Sequence, residues 1–285
     1  MCRLYAFRSN EPTKVECSLV HAQNALLAQS RSDSIGRRHA DGWGIVCYKD
    51  GEPTVNRRAN AAFEDAHFNE TAERVYSTAV VAHVRLSTVG VNSPSNTHPF
   101  TFDRWTFAHN GTIPSFCDVE KQLNKRIDAH LLDSRFGTTD SELYFLWLLH
   151  CLNRNGLLHD AEQSPSESAQ VIAEAILELV KLCRDIDPDT TEKLNFVLTN
   201  GSILFACRWN NTLFEIFRDG IYDCEICGIP HVQHDSSVNY QAIAIASEPI
   251  THEPWTAMRN HTLLCVTKDL ARFDRPIEAS FTAKE

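Results

Sequence analysis

The 285-residue chain has no apolar run approaching the roughly 18 residues of a membrane-crossing helix, and no apolar leader at its start. Membrane helices are therefore not expected, and the expected setting is cytoplasmic. Positive charge is also in short supply. Lys and Arg number 27 against 37 Asp and Glu, giving −10 with neutral histidines. No basic run is interleaved with aromatics, so nucleic acid is not an expected partner. Neither a Walker loop nor a dinucleotide-binding glycine fingerprint occurs, and no cofactor is expected. What is present is an ordinary globular composition, 43% hydrophobic and 22% charged, sufficient for a sizeable core.

Cysteine is not scarce, but its ten copies are scattered through a chain large enough not to need disulfide staples. One tight cluster stands out, Cys224-x2-Cys227-x3-His231-x2-His234. It offers four zinc-ligand types, yet the gap between its pairs is much shorter than finger spacing. The sequence alone reads it as a cysteine-bearing surface loop and assigns no metal ligand.

Strand signals recur at Leu4–Phe7, Gly44–Tyr48, Ala79–Val84, Trp105–Ala108, Leu194–Thr199, Ser202–Trp209, Thr212–Phe217, Ala242–Ala246 and Thr262–Thr267. Asn200-Gly201 between two apolar runs predicts a hairpin. A helix is expected over Ser18–Gln29, with Leu19, Ala22 and Leu26 on one face. Two capping boxes announce others: Thr139-Asp140-Ser141-Glu142 ahead of Leu143–Leu152, and Ser164-Pro165-Ser166-Glu167 with proline in the first turn. The polar stretch His159–Ser168 is the best linker candidate. The strands beyond it lack helical crossovers, however, which favours antiparallel sheets covered by helices, one α+β domain.

The start reads Met1-Cys2-Arg3-Leu4. Removal of Met1 would leave a thiol and a free α-amino group on one residue, and such an amine titrates near pH ~7.7–8.0. Nucleophile and base would then sit together. Alone, Cys2 reads more simply as a small buried residue opening a strand. Four downstream motifs change that balance. His83-Val84-Arg85-Leu86-Ser87-Thr88 ends an apolar strand with an arginine whose fork suits a carboxylate, though a structural ion pair is the plainer reading. Asn96-Thr97-His98-Pro99-Phe100 reads by itself as a turn. In Phe107-Ala108-His109-Asn110-Gly111-Thr112-Ile113-Pro114 the proline argues against a hairpin, and an amide side chain beside a glycine N–H is what an oxyanion hole requires. Asp140 is at least part of a helix cap, and is also placed to bind an ammonium group.

In that order, Cys2, His83-x-Arg85-x2-Thr88, His98-Pro99, His109-Asn110-Gly111 and Thr139-Asp140-Ser141-Glu142 resemble the class-II glutamine amidotransferases. Arg38-His39-Ala40-Asp41-Gly42-Trp43-Gly44-Ile45, and later Ile245-Ala246-Ser247-Glu248-Pro249 with Trp255, resemble a stand-alone subgroup that includes ergothioneine-pathway and glutathione-degrading γ-glutamyl hydrolases. The resemblance implies an N-terminal-nucleophile αββα sandwich of two antiparallel sheets, a single domain over residues 2–285. It implies Cys2 as nucleophile and Asn110 with the Gly111 N–H as oxyanion donors. Arg85 helped by Thr88 would bind an α-carboxylate and Asp140 an α-ammonium, with His98 and Arg38 near the site. The implied reaction is hydrolysis of a γ-glutamyl amide, glutamine or a small γ-glutamyl compound, through a Cys2 thioester. The alternatives are a glutaminase subunit feeding ammonia to a separate synthase, and a non-enzymatic thiol- or metal-binding module. A small γ-glutamyl substrate, a synthase or peptidase-like subunit and a second copy of the chain are the partners these readings allow. Synthase-feeding relatives often carry Trp after the arginine and His after the threonine; here those positions are Leu86 and Val89.

Overall fold

A computed structural model describes residues 2–160, 164–232 and 239–278. Among these residues, thirteen strands form two antiparallel sheets. The first contains β1 (Arg3–Lys14), β2 (Trp43–Lys49), β3 (Glu52–Arg58), β4 (Tyr76–Val84), β9 (Phe214–Asp219), β10 (Gln241–Ala246) and β11 (Thr256–Ala257). Its order is β11-β9-β10-β1-β4-β2-β3. The second contains β5 (Phe100–Phe102), β6 (Trp105–Thr112), β7 (Lys193–Thr199), β8 (Leu204–Arg208), β12 (Thr262–Val266) and β13 (Arg272–Pro276), in the order β13-β12-β8-β7-β6-β5.

Strand alternation sorts the side chains into three apolar layers. Leu4, Ala6, Val81, Ile243 and Ile245 of the first sheet meet Ala108, Val197, Ala206, Leu264 and Val266 of the second between the sheets. Their neighbours point the other way. Tyr5, Phe7, Val80, Ala82 and Ala244 pack under α1 (Leu26–Arg31) and α2 (Ala66–Arg74). Phe107, Phe196, Leu198, Phe205 and Leu263 pack under α5 (Asp140–Arg154) and α6 (Pro165–Ile186). Two shorter helices, α3 (Phe116–Leu123) and α4 (Ala129–Leu132), complete that outer layer. The result is the expected αββα sandwich. Helix α5 is apolar nearly all round because β6 covers one side while α3, α4 and α6 cover others.

Nine of the strand segments expected from sequence lie on observed strands, and β7 and β8 form the hairpin across Asn200-Gly201. The helix expected over Ser18–Gln29 is not continuous. Cys17–His21 is a single π-helical turn, Ala22 and Ala25 are extended, and only α1 resumes the helix. The structure also contains β3, β5, β11 and β13, which no strand signal announces.

Candidate active site

Cys2 stands immediately before β1, a central strand, and is buried (9% exposed). Its Sγ lies 3.4 Å from both the N–H and the carbonyl of Leu86, just beyond β4. Burial pushes the thiol pKa up. The Leu86 N–H and the Arg85 charge pull it down, while Asp140 pushes it up. The two charges proposed for the substrate's ends therefore both act on Cys2.

Arg85 is buried, and its Nη2 donates to Ser87 Oγ at 3.0 Å and to the Val89 carbonyl at 2.9 Å. It makes no ion pair among the described residues. Burial lowers its pKa, opposed by Cys2, Asp41 and Asp140. A buried guanidinium without a counter-ion favours an anion at its side. Asp41 holds the loop that carries it, accepting from the Ser87 N–H at 2.7 Å, while the Asp41 N–H donates to the Arg85 carbonyl.

Asp140 opens α5. Its Oδ2 accepts from the Ile113 N–H at 2.9 Å and its Oδ1 from the Ser141 N–H at 2.9 Å, which ties the end of β6 to the helix. Thr139 caps the helix by accepting from the Glu142 N–H. The Glu142 carboxylate does not close the second half of the box. It accepts instead from the N–H groups of Phe136 and Gly137, so the cap also fixes the loop before it.

Asn110 and Gly111 lie in an extended strand, not a turn. The Leu194 N–H donates to Trp209, so alternation turns the Asn195 backbone toward its partner Asn110 in β6. The Gly111 N–H consequently points away from β7, toward an edge that β5 leaves uncovered beyond Phe107. A Cβ on Gly111 would stand 1.8 Å from the Lys193 carbonyl oxygen, so only glycine fits there. The Asn110 side chain is fully buried. One Nδ2 hydrogen reaches Ser247 Oγ at 3.0 Å, and Oδ1 has no partner. Ser247 Oγ also accepts from the Leu4 N–H at 3.0 Å, so it fastens Asn110 of one sheet to the strand bearing Cys2 in the other.

Behind Cys2 lies a charged network. Arg3 donates from Nη1 to the Cys2 carbonyl at 3.0 Å, from Nε to Glu248 Oε1 at 2.8 Å and from Nη2 to Asp33 Oδ2 at 2.7 Å. Burial alone would raise the Asp33 pKa. Hydrogen bonding from the Arg37 backbone, the charge of Arg3 and hydrogen bonding with His39 outweigh it and hold the carboxyl well below its ordinary range. Sequence reading quoted Asp41, Ser247 and Glu248 within motifs but gave them no role, and it passed over Arg3. Their one signal is adjacency in sequence to the candidate site residues and motifs.

Two expected site residues sit differently. Arg38 is exposed, pairs with Glu64 at 3.6 Å and lies over the Phe63 ring. It is not gathered with the buried group, in which Arg3 and Arg37 pair with Asp33. Thr88 is exposed on the loop that Arg85 holds. His98 is buried against His83 (ring centroids 4.2 Å apart) and Phe100, with both ring nitrogens unpartnered. Burial holds it neutral, with a pKa well below the usual histidine value. Its carbonyl also explains Gly44: a Cβ there would stand 2.2 Å from it.

A family model for class-II glutamine amidotransferases matches residues 1–275. The chain is 36% identical over 204 residues to a γ-glutamyl-hercynylcysteine sulfoxide hydrolase of Mycobacterium tuberculosis, covering 67% of this chain and 69% of that protein. It is 28% identical over 296 residues to "Probable glutamine amidotransferase DUG3" of Saccharomyces cerevisiae, covering 94% and 82%. A solved glutamine aminotransferase class-II domain protein from Silicibacter pomeroyi shares the fold with a TM-score of 0.65 at 21% identity, over 96% of this chain and 98% of that one.

Proposed function

The chain belongs to the class-II glutamine amidotransferases, and from that premise we propose how its residues hydrolyse a γ-glutamyl amide bond. With Met1 removed, the Cys2 α-amine takes the thiol proton, and the thiolate attacks the γ-carbonyl. Asn110 Nδ2 and the Gly111 N–H hold the oxyanion. The amine, protonated by the same α-ammonium, leaves a γ-glutamyl thioester on Cys2. Water, deprotonated by the α-amine, then releases glutamate. Arg85 binds the α-carboxylate, with Thr88 at the mouth of the loop, and Asp140 binds the α-ammonium. His98 stays neutral behind the site, a packing and positioning residue. The observation that carries this reading is geometric: a buried Cys2 thiol against the Leu86 N–H, one residue beyond buried Arg85, with the Asn110 amide fastened through Ser247 to the Leu4 N–H.

The test is a panel of small amides given to the purified chain alone. Glutamine and γ-glutamyl compounds with free α-groups should turn over. N-acetylglutamine and the α-amide of glutamine should fall by about 10⁴–10⁵ in kcat/KM, the penalty for leaving a buried polar group unpaired. Equal rates across the panel would remove the roles given to Arg85 and Asp140.

A second reading, a glutaminase delivering ammonia or product to a separate synthase or peptidase-like subunit, draws support from Val91 and Phe136. These large apolar residues, 73% and 77% exposed, lie on the loops that flank Arg85 and Asp140. Absence of turnover by the purified chain, restored by a partner, would favour it. No helix among the described residues is long and apolar enough to cross a membrane, and ten unbridged cysteines fit the reducing cytoplasm.

A further inference from the structure

Far from Cys2, at the opposite end of β1, four side chains from two remote parts of the chain converge. The sulfurs of Cys17, Cys224 and Cys227 and a ring nitrogen of His231 all lie within 4.8 Å of one another. Cys17 opens the π-helical turn after β1, and the other three come from the loop between β9 and β10. With a strand rise of about 3.3 Å per residue, β1 separates this cluster from Cys2 by on the order of 35–40 Å.

We propose that these four residues form a closed structural zinc site. Three observations carry it. First, the donor set is right: three thiolates and one imidazole are a tetrahedral zinc set, and with four protein ligands no position is left open for catalysis. Bonds of about 2.0–2.3 Å place tetrahedral ligand atoms about 3.5–3.8 Å apart. Cys227 Sγ and His231 Nε2 stand 3.2 Å apart and no pair of the four ligand atoms exceeds 4.8 Å, so shifts of about 1 Å bring the set to that spacing.

Second, the loop is folded around the sulfurs. In Cys224-Glu225-Ile226-Cys227-Gly228 the Ile226 N–H points at Cys224 Sγ at 3.4 Å, and the Gly228 N–H closes onto the Cys224 carbonyl at 2.8 Å. The Cys224 N–H in turn reaches the Ile229 carbonyl at 3.2 Å. Gly228 takes a φ of +73°, a conformation that suits glycine. A tight turn that donates an N–H to a sulfur lowers the cost of holding that sulfur as a thiolate.

Third, the remaining ligands are held from outside the loop. The His231 carbonyl accepts from the Lys14 N–H at 2.9 Å, and Val232 bridges to Thr13. His231 therefore approaches along the end of β1, the strand that delivers Cys17. Between Ile221 and Val232, which reach the core at its flanks, the described part of the loop turns Tyr222, Ile226 and Ile229 outward. A metal supplies the missing attachment. On binding, the cysteine thiols lose their protons to solvent and the imidazole binds as the neutral base. Cys17 is distant in sequence, so spacing could not reveal it. His234, the fourth residue of the sequence cluster, lies outside the described residues.

The test uses the full chain, purified under a thiol reductant without chelator after growth in zinc, with metal measured by plasma mass spectrometry. The proposal predicts about one zinc per chain in the wild type and in Cys2→Ala. Zinc should fall at least tenfold in Cys17→Ser, Cys227→Ser and His231→Ala. Because Cys17 is buried, the half-exposed His231 and exposed Cys227 variants carry the argument if Cys17→Ser fails to fold. Replacing zinc with Co²⁺ should give the intense visible bands of a tetrahedral thiolate site. A metal-free wild-type protein that also shows no such spectrum with Co²⁺ would overturn the proposal in favour of a hydrogen-bonded thiol cluster. So would zinc that survives both Cys227→Ser and His231→Ala. None of these readouts depends on γ-glutamyl turnover.

Discussion

The two ends of β1 each present cysteine sulfur, and their surroundings differ in kind. At the Cys2 end one thiol lies against the Leu86 backbone, with the charges of Arg85 and Asp140 acting on it. At the Cys17 end three sulfurs and an imidazole face one another. A single thiol beside fixed opposite charges is equipped to bind a zwitterionic ligand and attack it. Several thiols in mutual contact repel as thiolates and call for a cation. What separates the proposed nucleophile from the proposed ligand is the charge of the neighbours and the number of sulfurs, since burial is shared by Cys2 and Cys17.

The largest expected effect tests that division directly. Cys2→Ala should lower turnover of γ-glutamyl substrates by on the order of 10⁴–10⁶, with the melting temperature nearly unchanged. Its mirror image, His231→Ala, should lower the melting temperature and leave kcat within about twofold. Steady-state kinetics and thermal melts of the two proteins would break the comparison if both properties moved together in both.

Next in size is Asn110→Ala, expected to lower kcat by about 10²–10³ with a smaller change in KM. Ser247→Ala should follow, at about 10–100-fold in kcat, because it removes the hydroxyl that holds the Asn110 amide without touching the reacting atoms. Ser247→Thr, which keeps the hydroxyl, should recover part of the loss. Rates that are unchanged in Ser247→Ala would show that Asn110 needs no such anchor.

The smallest effect is a pH dependence of stability. Burial lowers the pKa of His39 to about 4, against hydrogen bonding with Asp33, and that of His83 to about 3. Unfolded histidine titrates near ~6.5. Between those values the unfolded chain binds more protons, so stability is full above pH ~6.5 and falls as pH drops toward 4. Each buried histidine contributes a slope of about 1.4 kcal/mol per pH unit. Denaturant melts across this window, in a His231→Ala background that removes metal-linked titration, should show a shallower slope for His83→Gln. An equal slope would mean that His83 takes up its proton without unfolding.

The strand and helix signals made antiparallel sheets covered by helices legible, and the four-layer sandwich came from the resemblance of the ordered motifs to the class-II glutamine amidotransferases. The sequence did not announce β3 or β13, edge strands whose exposed alternate residues are charged, polar or proline, nor β5 and β11, too short to carry a period. The break at Ala22–Ala25 was invisible because alanine favours helix, and the tertiary path overrides it. Within the site, the residues proposed to carry chemistry were named from motif order. The residues that position them could not be: Arg3, Asp33, Ser247 and Glu248 meet only once three distant segments are folded together. Arg38 shows the converse, a motif residue whose side chain turns outward to Glu64.

The central claim is that Cys2, alone among ten cysteines, is the nucleophile. The most direct measurement is peptide mapping by mass spectrometry after the wild-type protein reacts with diazo-oxonorleucine, an electrophilic glutamine analogue. The account predicts one adduct per chain, on a Cys2 that has lost Met1, formed in parallel with loss of turnover and blocked by glutamine. Adduct on Cys224 or Cys227 with Cys2 unmodified, or a fully active protein still bearing Met1, would contradict it.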